Sequence, residues 1–169
     1  MKKLFIQNCL FNRYLIVICL AVIAALFSLS IYAKNSLNKY YVTINNKNIS
    51  LDIADTPASR QKGLMFVESM PENSGMLFVL EKPEFANFWM KNMKIPLDML
   101  FISGEKIVTI YNKVPVCKIA PCQIYPSNQK VDFVLEVNSG YCEKHRINIG
   151  QTVKFSPELA KRIIITGQN

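Results

Sequence analysis

The hydrophobic pattern divides the chain at residue 33. Residues 14–33 form an uncharged, mostly apolar run of twenty, whereas apolar stretches beyond it are short and closely punctuated. A helix rises about 1.5 Å per residue, so such a run spans a hydrocarbon core of roughly 30 Å. After a polar linker at 34–39, residues 40–44 and 49–54 are β-rich and joined by Asn45-Asn46-Lys47-Asn48, which predicts a hairpin. Thr56 then offers an N-cap, Pro57 a first helical residue and Gly63 a stop, giving a helix of about two turns. From Met76 onward the pattern is that of strands, at 76–80, 85–91, 97–102, 106–111 and 131–137, punctuated by Pro83, Pro96 and Ser103-Gly104. Val131, Phe133, Leu135 and Val137 alternate with Asp132, Val134 and Glu136, mostly the pattern of a half-buried strand. Residues 97–102 are apolar on both faces except at Asp98, as in a central strand. Residues 139–146 suit a second short helix and 152–155 a closing strand. The whole predicts a mostly β domain over 40–155, a β-sandwich or distorted barrel of short strands with one or two short helices. It stands behind an N-terminal transmembrane or signal helix and ahead of a tail at 156–169.

Charge decides how the leader is read. Lys2, Lys3 and Arg13 precede the apolar run, which places the N-terminus in the cytoplasm and the domain outside. A cleavable signal peptide has an apolar region of about 7–15 residues and a small-x-small site. Ile31-Tyr32-Ala33 is a poor site because Ile31 is large, so residues 1–33 read as a signal anchor, with cleavage after Ala33 as the alternative. The expected location is a bacterial inner membrane facing the periplasm, or a periplasmic or secreted protein if the leader is cleaved. The net charge of +8 is partly the leader's; residues 34–169 hold 17 basic and 12 acidic side chains. The basic residues are scattered rather than gathered in a stripe, which argues against nucleic acid as a partner.

Five cysteines divide by position. Cys9 and Cys19 belong to the leader. Cys117 and Cys122 lie in a loop bounded by Pro115, Pro121 and Pro126, and in an oxidising compartment they predict a disulfide. Their spacing matches no zinc or haem motif, and no second pair completes a metal site. Cys142 reads as a small buried residue.

Residues 85–102 carry the most unusual chemistry. The single Trp, a Lys and an Asp lie within runs that otherwise favour burial, and charged residues are seldom buried unless paired. Phe85, Asn87, Trp89 and Lys91 alternate onto one face of an extended strand. If 85–91 and 97–102 paired as a hairpin, Lys91 and Asp98 would meet. Such a pair beside an indole suits an anionic or sugar-like ligand, and it equally suits a structural ion pair. Met65, Met70, Met76, Met90, Met93 and Met99 crowd the same region. Thioethers can hold copper(I), but methionine is also a common filler of cores, and no metal or cofactor is inferred.

Several segments together resemble a known family. They are Arg60-Gln61-Lys62-Gly63-Leu64-Met65-Phe66, Gly75-Met76-Leu77-Phe78, Phe88-Trp89-Met90-Lys91-Asn92, Ile95-Pro96-Leu97-Asp98 and Val134-Leu135-Glu136-Val137-Asn138-Ser139-Gly140. In this order they resemble the signature of the domain of unknown function 192 (DUF192) family. The resemblance implies a compact, mostly β domain, often behind a leader or anchor, and no established activity. Met93 departs from the family pattern, which usually has a small polar residue there.

The resulting expectation is a non-catalytic extracytoplasmic domain binding a small envelope ligand or a protein partner, tethered to the inner membrane by its N-terminal helix. Arg60 and Lys91 would supply positive charge, Asn92 a donor, Trp89 an apolar wall, and Asp98 the orientation of Lys91. The alternative is an envelope hydrolase or transferase using Asp98 with Lys91. Glu136 enters only as a default partner for Asp98 in a carboxylate pair.

Overall fold

The computed structural model describes residues 40–166, together with Ile18, Leu20, Val22 and Ile23, which are helical. The expected anchor, its cleavage point, the linker, Cys9 and Cys19 lie outside the described residues. Among those described, no helix is long and apolar enough to cross a membrane.

The domain is mostly β, as expected, and of the two expected forms it is nearer the distorted barrel than the sandwich: a single seven-stranded sheet curled into a half-barrel. Its strands are β1 (Tyr41–Ile44), β2 (Lys47–Ala54), β3 (Ser74–Trp89), β4 (Leu97–Ser103), β5 (Lys106–Val114), β6 (Ile124–Asn138) and β7 (Lys154–Phe155), in the order β5-β4-β6-β3-β2-β1-β7. Three helices accompany them: α1 (Pro57–Lys62), α2 (Tyr141–His145) and α3 (Pro157–Thr166). The β1–β2 hairpin turns at Asn45 and Asn46, whose φ of 48° and 61° suit the twist of a two-residue turn. β2 and β3 run parallel, so a crossover must join them, and α1 lies in it.

Both faces of the sheet are covered, and β4 shows how. Leu100 and Ile102 enter one core with Leu77, Leu135, Tyr141, Cys142 and Leu159. Leu97, Met99 and Phe101 enter a second core with Leu64, Phe78, Met90 and Val134. Each fully buried Leu or Ile contributes roughly 1.5–3 kcal/mol, so a sheet sandwiched between two cores needs no second sheet. The tail forms α3, whose Leu159 completes the first core and whose Arg162 Nε donates to Asp55 Oδ2 at 2.7 Å.

Two expectations are corrected by the ladder. The runs at 76–80 and 85–91 are a single strand, because register shifts between Val79 and Glu84 accommodate Pro83 as a bulge rather than a break. The hairpin between 85–91 and 97–102 does not form, since β6 lies between β3 and β4. Gly75 permits the tight β3–β6 contact: a Cβ there would stand 2.5 Å from the Glu136 carbonyl oxygen. Cys117 and Cys122 stand at disulfide distance, with Cα atoms 5.5 Å apart.

Candidate functional site

A cleft of about 320 Å³ opens on the second-core side, between α1 with its following loop and the outer half of β3. Local sequence sets its first wall. Thr56 and Ser59 form a reciprocal cap, Thr56 Oγ1 accepting from Ser59 N at 3.1 Å and Ser59 Oγ from Thr56 N at 2.9 Å. Arg60 Nη1 donates to the carbonyls of Asp55 at 2.9 Å and Val79 at 3.1 Å, and its Nη2 pairs with Glu81. Its guanidinium therefore fastens α1 to the end of β2 and the middle of β3, and among the described residues Lys62 makes no ion pair.

The second wall is β3. Phe85, Asn87 and Trp89 face outward and are exposed, while Phe88 turns inward. Phe88 meets Phe78 edge-on at 4.9 Å and Phe101 at 5.7 Å, and the series continues through Tyr111 to Tyr125. Such edge-to-face contacts stiffen the wall behind the cleft. Lys91 Nζ lies 5.7 Å from the Trp89 ring centroid. Behind the lining residue Met65, Asn92 Nδ2 donates to Met65 Sδ at 3.7 Å, and the Asn92 backbone carbonyl accepts from Phe66 N at 3.0 Å. Phe66 is held at φ 66° with 63% of its surface exposed. A left-handed bulky residue costs about 1–3 kcal/mol, and an exposed ring returns none of it to folding.

The floor holds the residue whose role the sequence pattern concealed. Glu136 pairs with Met76 on β3 and Met99 on β4, is 3% exposed and lines the cleft. Among the described residues nothing hydrogen-bonds its carboxyl. Burial raises its pKa to about 8, so it is mainly the uncharged acid at neutral pH. Its strand alternates, which suggested one wet face. The loop after α1 and the methionine-rich second core cover that face instead, and no local signal announces this.

Asp98 belongs elsewhere. It is fully buried on the first-core face, where Oδ1 accepts from Lys113 N at 2.7 Å and Gly140 N at 2.9 Å, and Oδ2 from Cys142 N at 2.8 Å. It anchors the start of α2. The expected Lys91–Asp98 contact does not exist, because the two side chains serve opposite faces of the sheet. The structure thus brings Arg60, Trp89 and Lys91 to one cleft and leaves Asn92 and Asp98 out of its lining.

The six clustered methionines all belong to the second core; Met90, Met93 and Met99 are buried. Among the described residues, no group of His, Cys, Asp or Glu side chains could hold a metal ion. Cys142 is free, buried and, through desolvation and then Asp98, held as an unreactive thiol with its pKa raised.

Comparison with known proteins then places the domain. The profile of the DUF192 family, described as an uncharacterised ACR, matches residues 40–155. A comparison with curated proteins finds no match. Two crystal structures are similar. One, described as a candidate transcription regulator from Sinorhizobium meliloti 1021, is 29% identical with a TM-score of 0.63, over 69% of this chain and 91% of that one. The other, a protein of unknown function from Novosphingobium aromaticivorans DSM 12444, is 28% identical with a TM-score of 0.63, over 68% of this chain and 83% of that one.

Proposed function

This chain belongs to the uncharacterised DUF192 family, and from that premise we propose that its cleft binds a small ligand on the outer side of the inner membrane, without transforming it. The observation that carries this reading is Glu136. Its carboxyl has no hydrogen-bond partner among the described residues and faces an open cleft of mixed polar and apolar lining, in which a ligand can pair with it. Trp89 and Lys91 in the cleft lining support the same reading. Convergent polar groups in an apolar pocket are the usual form of a small-molecule site. The outward location rests on the basic residues before the apolar run.

A second reading takes Glu136 as general acid in an envelope hydrolase or transferase. A carboxyl that titrates near 8 is suited to donating a proton at neutral pH. Asp98 has no such place, since its oxygens are occupied on the far face. The description of the Sinorhizobium neighbour suggests regulation of transcription, but Lys62 and Lys91 stand beside Glu84 here rather than in a basic stripe.

The test uses Trp89, the only tryptophan. Its emission in the full-length chain should shift saturably with some members of a library of small organic acids, alcohols and amines. Lys91→Ala should weaken those shifts. A library that leaves Trp89 unchanged contradicts the binding reading, and turnover of a bound member, lost in Glu136→Gln, favours the enzyme.

A further inference from the structure

Resting on that binding reading, we propose that the ligand is a small organic anion with an apolar body, its carboxylate held at Lys91 and an oxygen at its inner end accepting the O–H of Glu136. Three features of the cleft carry this. Leu64, Met65, Phe78, Leu80, Phe88 and Met93 form the apolar part of its lining, a surface suited to an apolar body. The mouth offers the exposed ammonium groups of Lys62 and Lys91 against one acid, Glu84, because Arg60 is engaged by Glu81. Glu136 also lines the cleft, and among the described residues no cation is bonded to it.

The charged groups around Glu136 are few. α1 contributes Arg60 and Lys62, and β3 with the residues after it contributes Glu84 and Lys91. Its β4 neighbour in register is Met99, and Asp98 faces the other core. Desolvation by burial, with no countercharge, is what sets its protonation. An uncharged acid donates one hydrogen bond, so the group meeting it must be an acceptor. A cationic ligand would have to pass the lysines and then ionise Glu136 without help from another side chain.

The probes are 4-acetylbenzoate, which has both ends; 4-isopropylbenzoate, which lacks the inner oxygen; and benzylamine. Binding to the full-length chain would be measured by calorimetry across pH 8. The expected result is preference for 4-acetylbenzoate, with affinity level below that pH and falling about tenfold per unit above it, as the acid form is depleted. Glu136→Gln also donates, so it should keep the affinity within about fivefold and abolish the pH dependence. If that variant fails to fold, the wild-type pH profile and the 4-isopropylbenzoate comparison decide: equal affinity for the two acids overturns the proposal. Tighter binding of benzylamine, rising with pH, overturns the ligand class and leaves the binding site standing. Failure of all three probes while the library still shifts Trp89 also overturns the class alone. If the library shifts nothing, the binding reading itself falls.

Discussion

Asp98 and Glu136 sit on neighbouring strands, one register position apart, and water barely reaches either. Three backbone N–H groups replace the lost hydration of Asp98, whereas Glu136 has no hydrogen-bond partner among the described residues and faces only the cleft. The two should respond oppositely to loss of charge. Asp98→Asn turns an amide N–H₂ toward backbone donors and should cost about 2–4 kcal/mol in denaturant unfolding while leaving ligand-induced Trp89 shifts unchanged. Glu136 instead binds its proton more tightly when folded, with its pKa raised from 4.5 to about 8. The native state therefore holds the extra proton between those values, and stability falls as pH rises through that window and is level above it. At about 1.36 kcal/mol per unit the loss is on the order of 5 kcal/mol. Glu136→Gln should lack this slope; equal pH profiles for the two proteins contradict an uncharged, buried Glu136. Both acids could be seen in the sequence as charges inside apolar runs. Which of them faces a cleft depends on partners distant in the chain.

Elements with local causes were legible, and those with distant causes were not. α1 is written in Thr56, Pro57 and Gly63, and the β1–β2 turn in Asn45-Asn46, because caps and tight turns are satisfied within a few residues. In the sequence β3 has the pattern of two strands, since Pro83 ordinarily breaks a ladder, and only the bulge opposite β6 lets the strand continue. The insertion of β6 between β3 and β4 has no local signature, and it separates Lys91 from Asp98. Gly75 is where the β3–β6 seam depends on one residue. Gly75→Ala drives a Cβ against the Glu136 carbonyl, so it should cost about 1–3 kcal/mol and move the floor of the cleft. The check is a melting curve together with Trp89 emission; an unchanged protein would show that the seam yields freely.

At the scale of the whole molecule, one curled sheet carries two cores with separate tasks. The first, with α2, α3 and Asp98, holds the strands together. The second, with α1 and the methionines, stops short of closing and leaves the cleft open at Glu136. The six methionines, which invited a copper reading, are among the side chains that shape this core. Beyond the domain, the proposed anchor predicts that full-length protein sediments with membranes, resists alkaline washing and retains its N-terminus; a mature chain beginning at Lys34 contradicts it. The central claim is that a buried, uncharged Glu136 awaits a ligand, and carboxyl-labelled glutamate NMR tests it most directly. In a titration carried from the ordinary acid range to well above 8, with and without 4-acetylbenzoate, one glutamate resonance should titrate near 8, disappear in Glu136→Gln and shift on ligand addition. If every glutamate titrates in the ordinary acid range and none responds to the ligand, the account is wrong.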